Sequence, residues 1–222
     1  MQNSISQKTF DFLQNLSQNN NREWFNENKN LYLEAQENVL LFLEKLIEDI
    51  SEFDDDILKI DAKKSLFRIY RDVRFSLDKS PYKTHFGAAL GFGKGGKFSG
   101  YYLHIAPGNS FLAGGIYQPE KEILKKIRTN ISNNPDDFLK IIEDKNFKKQ
   151  FSELSQEDKL KRIPQGFEKE DPMEDFLKLK NFIVKYSLKD ENLMGTSSIK
   201  NLAKICQKMK PLNDFIENSI LK

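Results

Sequence analysis

Cysteine is nearly absent from this 222-residue chain. Cys206 is the only one, so no intramolecular disulfide can form, and a reducing, cytoplasmic location is the expectation that follows. Histidine is almost as scarce. His85 and His104, with a single cysteine, are too few for zinc held by soft ligands, and there is no His-Glu-x-x-His and no Cys-x-x-Cys, so no metal is expected. No run approaches the roughly 18 consecutive apolar residues of a membrane span. The opening Met1-Gln2-Asn3-Ser4-Ile5-Ser6 has neither the basic flank nor the apolar stretch of a secretory signal, so no membrane association is expected. An excess of charge of one sign is also missing. The formal net charge of +2 is lower than a dedicated duplex-DNA binder would carry. What is abundant is phenylalanine, 18 residues, which with a 38% hydrophobic content supports a globular core despite 31% charged residues.

The charge is unevenly spread. Residues 1–62 hold five basic and thirteen acidic side chains, a balance of −8, whereas residues 63–97 hold nine and two, a balance of +7. Such blocks either pair with each other inside the protein or leave a basic face for a partner.

Periodicity divides the chain into three parts of one domain spanning 1–222. Residues 1–62 read as helical. Phe10, Leu13 and Leu16 mark a first helix. Trp24, Asn28, Leu31, Ala35, Val39, Phe42, Leu46 and Ile50 mark a second of about 28 residues and 40 Å, with Asn20 and Glu23 in a capping-box pattern at its start. Residues 63–118 read as an antiparallel sheet with strands Leu66–Tyr70, Phe86–Phe92, Tyr101–Ala106 and Phe111–Tyr117. The last two connections are too short for crossover helices. Alternate positions in two strands are small, namely Gly87, Ala89 and Gly91, then Ala113 and Gly115 opposite Gly114. Packing by the long N-terminal helix and approach of a ligand both account for them. Residues 119–222 read as helical again, with Pro119, Pro135, Pro172 and Pro211 at helix starts and an irregular loop over 152–170. The fold class expected is α+β: an antiparallel sheet covered by a long N-terminal helix and several C-terminal helices.

Most familiar motifs fail on context. Gly91-Phe92-Gly93-Lys94-Gly95-Gly96 fits G-x-G-x-x-G, but a strand follows it where a dinucleotide fingerprint needs a helix, so it reads as a hairpin turn. Phe98 stands where a phosphate loop needs Ser or Thr. Cys206 falls on an apolar helical stripe, as a core residue would. His104 shares a strand face with Tyr102, which suits a hydrogen-bonded structural histidine or a general base.

The segment from Phe67 to His85 carries the strongest chemical signal. Arg68, Arg71, Arg74, Lys79 and Lys83 are interleaved with Tyr70, Asp72 and Tyr82. Continued as a strand, the segment puts Arg68, Tyr70, Asp72 and Arg74 on one face. Phe67, Ile69, Val73 and Phe75 take the other, where Arg71 would be buried and in need of a carboxylate from Glu23, Glu27, Asp72 or Asp78. Two readings stand. In one the cluster is an internal salt-bridge network. In the other, Arg68, Arg74, Lys79 and Lys83 converge on a phosphate or carboxylate, with Tyr70 and Tyr82 offering stacking faces. The ligand-binding candidates are thus Arg68, Tyr70, Asp72, Arg74, Lys79, Tyr82, Lys83 and His104. Their partner would be a phosphorylated small molecule, a nucleotide or a nucleic acid. A small enzyme using Asp72 or His104 as acid or base is the alternative, and no cofactor is indicated.

These residues also carry a resemblance. Asn19-Asn20-Asn21-Arg22-Glu23-Trp24-Phe25 with Asn28-Lys29, the run from Phe67 to Ser76, and Asp78-Lys79-Ser80-Pro81-Tyr82-Lys83 resemble the signatures of a widespread bacterial and fungal family of conserved hypothetical proteins, a domain of unknown function. The likeness continues through Gly100-Tyr101-Tyr102-Leu103-His104, Gly114 to Pro119, Leu160-Lys161-Arg162, Pro164, Gly166-Phe167 and Lys210-Pro211-Leu212. Leu77 departs from it, standing where a polar or charged residue is expected. The resemblance implies one intact domain and groups the Asn-Arg-Glu-Trp segment with the basic cluster. It implies no activity, cofactor or catalytic residue.

Overall fold

The structure, a computed structural model, describes residues 4–91 and 98–221. Its backbone forms two compact units, each assembled from three separated stretches of chain. The first comprises residues up to Leu90, Tyr102–Leu112 and Ser187–Ile205; the second comprises Gly91–Tyr101, Ala113–Tyr186 and the chain from Cys206 onward.

The first unit begins with α1 (Gln7–Gln18), started by the Ser6 hydroxyl accepting from the Thr9 amide at 3.2 Å. The expected long helix is two. α2 (Arg22–Glu27) is capped by Asn21, not Asn20, and α3 (Lys29–Ser51) follows after a break at Asn28. The break has a local cause: the Asn28 side chain turns back to donate to the Trp24 carbonyl at 2.9 Å, competing with helix continuation. α3 buries Ala35, Val39, Phe42, Leu46 and Ile50 along one stripe, flanked by Leu43 and Ile47. A 3-10 turn (Asp55–Lys59) and α4 (Ala62–Ser65) lead to β1 (Phe86–Leu90).

β1, β2 (Gly100–Ile105), β3 (Ser110–Ile116) and β4 (Phe182–Leu188) form one antiparallel sheet in the order β1-β2-β3-β4, so the expected meander is present. The turn expected between β1 and β2 lies outside the described residues. β4 was not anticipated; it interrupts the part read as helical. Conversely, Leu66–Tyr70 is not a strand. It makes only isolated antiparallel bridges, Leu66 to Ala88 and Tyr70 to Tyr82. Along β2, Tyr101, Leu103 and Ile105 are buried while Tyr102 and His104 are half-buried, which defines a core face and a partly open face.

In the second unit, α5 (Lys121–Asn133), α6 (Pro135–Ile142), α7 (Lys145–Phe151) and α8 (Glu174–Leu177) precede β4, with an irregular stretch over 152–170. Pro135 opens α6 as expected. α9 (Asp190–Met194) belongs to the first unit, and α10 (Ser198–Leu221) closes the described chain. Pro211 does not start a helix: it lies inside α10. The small strand residues face specific neighbours, and none of these belongs to the long N-terminal helix. A Cβ on Gly87 would stand 2.5 Å from the Tyr102 hydroxyl, and Gly114 faces Met209 of α10. Among the described residues no helix is long and apolar enough to cross a membrane.

Candidate functional site

Residues 66–85 form an irregular arm in the first unit. Its base is tied to β1 by the Phe67 amide donating to the Gly87 carbonyl at 2.8 Å. Its stem is held by Arg71 donating to the Pro81 carbonyl at 2.9 Å and Lys83 donating to the Ile69 carbonyl at 2.7 Å. Ile69 and Tyr82 are the stem's buried side chains. The Tyr82 ring stacks on Phe25 of α2 at 3.9 Å, and Tyr70, 51% exposed, leans on both rings. Asn20 clamps the stem. Its side-chain amide donates to the Tyr82 carbonyl at 2.9 Å and its Oδ1 accepts from the Tyr82 amide at 3.1 Å. The conjunction of the Asn-Arg-Glu-Trp segment with the basic cluster is therefore physical: Asn20 and Phe25 seat the arm.

Beyond the stem, residues 72–80 make a tip that consumes three of the five cations. Arg74 grips the Asp72 carboxylate with Nε at 2.9 Å and Nη2 at 2.6 Å, and this holds the Asp72 carboxyl below its usual range. Lys79 Nζ donates to the Val73 carbonyl at 2.9 Å. Arg71 pairs with Asp78 and also donates to the Ser80 carbonyl at 3.1 Å and the Ser76 hydroxyl at 3.3 Å. Asp78 is driven to a pKa of about 2, chiefly by the Ser80 hydroxyl and amide and then by Arg71.

One expectation is corrected here. The apolar face assigned to the segment does not exist: Phe67 and Phe75 are exposed. Arg71 is 24% exposed and has the expected carboxylate, which Asp78 of the local turn supplies. The asparagine-like turn chemistry of Asp72 and Asp78 outcompetes strand pairing over 72–80. Arg71→Ala is then expected to cost well under the ~3–5 kcal/mol of a broken buried pair. It should instead loosen the tip, seen as faster protease cleavage within 72–80 at nearly unchanged melting temperature.

The remaining cations, Arg68 and Lys83, form no salt bridge among the described residues, although the Arg68 charge helps to lower the Asp72 pKa. Lys83 Nζ lies 5.4 Å from the Phe67 ring centre, and burial followed by the neighbouring Arg68 charge lowers its pKa. Two residues on, His85 lies against His104 with ring centres 4.1 Å apart. His104 stacks on Phe111 of β3 at 4.6 Å, and its Nδ1 is 3.2 Å from the Tyr102 hydroxyl. Burial, then the Lys83 charge, lowers the His85 pKa and so favours the neutral imidazole. Burial raises the Tyr102 phenol. Gly87 lies beneath this group because only a residue without Cβ leaves room for the Tyr102 hydroxyl.

The predicted residues thus separate. Arg74, Asp72 and Lys79 build the tip; Tyr82 is a buried anchor; Tyr70 is exposed on the stem. Arg68 and Lys83 feel each other's charge, while His104 lies with His85, Tyr102 and Phe111 on the partly open face of the sheet. His85 was missing from the sequence-based set, although its place two residues after Lys83 and next to a strand start was a usable signal. Among the described residues no three His, Cys, Asp or Glu side chains are placed to hold a metal. The partly desolvated Lys83 beside the exposed Arg68, with the His85 imidazole and the Tyr102 phenol near by, suits an anion and the transfer of a proton to or from it.

A family model described as Conserved hypothetical protein (DUF2461) matches residues 8–215. No curated protein and no solved structure matches the chain.

Proposed function

Since the chain belongs to the DUF2461 family of conserved hypothetical proteins, a membership that leaves the chemistry to the site itself, we propose that it binds a phosphate- or carboxylate-bearing ligand between Arg68 and Lys83. One observation carries this reading. Two adjacent cations, one of them desolvated enough to lose basicity, form no salt bridge among the described residues, although Arg68 lies near enough to Asp72 to lower its pKa, and an anion would relieve their mutual repulsion. His85 supplies a second consequence. An anion beside it raises its lowered pKa, so the complex takes up protons that the free protein does not, and affinity rises as pH falls through the His85 titration.

The test is thermal shift and calorimetry with inorganic pyrophosphate and ATP at pH 6 and 7. Binding should raise the melting temperature, be tighter at pH 6, and weaken about tenfold or more in Arg68→Ala and Lys83→Met. Both variants should fold, because Arg68 is exposed and Lys83→Met removes a like charge. Binding unaltered in both variants would refute the assignment.

The Tyr102 contact with His104, beside His85 with its lowered pKa, favours general acid–base chemistry on the bound anion as a second reading. Asp72 does not suit that role, since its carboxylate is held by Arg74.

A further inference from the structure

We propose that the arm is a platform for single-stranded nucleic acid, with bases stacking on Tyr70 and Phe75 while Arg68 and Lys83 hold phosphates. The proposal rests on the anion site described above and adds the class of polymer. Phe75 is 95% exposed, and Leu77 beside it is fully exposed. Bare apolar side chains of this size are usually shielded unless they meet a partner. They are not on a floppy loop. The tip is braced by Arg74 on Asp72, Arg71 on Asp78 and the Ser80 carbonyl, and Lys79 on the Val73 carbonyl. A braced tip presents Phe75 with little conformational entropy left to lose on binding. The Arg74 guanidinium lies 5.9 Å from the Phe75 ring centre, which fixes a cation next to the stacking surface.

The pattern of groups selects the occupant. Exposed Phe67, Tyr70 and Phe75 are interspersed along the arm with Arg68, Arg71 and Arg74. A nucleic-acid strand offers the complementary alternation of π-faces and phosphates. An apolar pocket on a partner protein would accommodate Phe75 and Leu77 but gives no role to Arg68 and Lys83, which form no salt bridge among the described residues. A duplex keeps its bases stacked on each other, and its affinity is drawn from many phosphate contacts. Here Arg71, Arg74 and Lys79 are already committed within the tip, which leaves two cations. Two phosphate contacts with a single strand give a salt slope of about −1.4, or about a sevenfold loss of affinity between 50 and 200 mM salt.

The experiment is fluorescence anisotropy of labelled 12-mers of dT and U, with pyrophosphate and ATP measured in parallel. Wild type should bind the 12-mers more tightly than ATP, with the shallow salt dependence given above. Phe75→Ala should lose about 5–150-fold in 12-mer affinity, the worth of one stacked base, with pyrophosphate binding unchanged. Tyr70→Leu should behave similarly, and circular dichroism should show both variants folded. If pyrophosphate binds with Arg68 dependence but the 12-mers bind no tighter than ATP, or Phe75→Ala binds them as wild type does, the nucleic-acid proposal is overturned while the anion site stands. If neither pyrophosphate nor 12-mers bind, both fall. Phe75-dependent binding to phosphatidylserine vesicles without 12-mer binding would also overturn it, in favour of a lipid surface.

Discussion

Gly115→Ala is expected to unfold the second unit or to leave it barely stable. Gly115 has φ +122, a backbone conformation that a side chain disfavours. An added Cβ would stand 1.9 Å from the Phe182 carbonyl oxygen and 2.9 Å from the Ile183 Cα. Both obstacles are backbone, so no rotamer change relieves them, and β3 must part from β4. Backbone strain, overpacking and lost ladder hydrogen bonds together come to roughly 4 kcal/mol or more, against typical total stabilities of about 5–15 kcal/mol. The melting temperature should fall by about 10 °C or more. A change within 2 °C would mean that β3 and β4 are not so closely paired at Gly115.

The second large effect is expected at Asn20. Its side chain imitates a strand partner for Tyr82, giving one donor and one acceptor to a single residue's backbone. Asn20→Ala removes both bonds and leaves a partly buried amide and carbonyl unmatched, at a cost of about 2–4 kcal/mol. Asn20→Asp should not rescue it, because a carboxylate cannot donate to the Tyr82 carbonyl. Hydrogen exchange gives the direct measurement: the Tyr82 and Lys83 amides should lose protection, and pyrophosphate affinity should drop as Lys83 loses its fixed position. Unchanged protection at Tyr82 would show that Phe25 stacking alone seats the arm.

Legibility differed between elements for physical reasons. The meander was readable because short glycine- and proline-rich connections permit few alternatives. The helical stripes of α1 and α3 were readable from apolar spacing, but the break at Asn28 was not, since a side chain folding back on its own turn leaves no mark in periodicity. β4 was missed although Phe182 to Leu188 carries β-branched and aromatic residues, because helical stripes flank it on both sides. The arm was the hardest case. Its composition suggested a strand, yet Asp72 and Asp78 at turn-forming positions decided its course. The separation of five cations into three that brace and two that form no salt bridge depends on contacts between residues up to nine apart. Spacing alone does not distinguish these from a single converging cluster.

The interleaved stretches that make up each unit have a consequence for how the protein folds. The first unit needs residues as late as Ile205, and the second draws on the chain beyond Cys206. Neither unit can therefore close until distant stretches of the chain meet, even though α1 and α3 can pack on each other early. One such long-range tie is the Ile5 amide donating to the Leu193 carbonyl at 2.9 Å. Closing such long loops is slow, and exposed apolar surface in the interval invites aggregation. Refolding from denaturant should therefore be slow and prone to aggregation at high protein concentration.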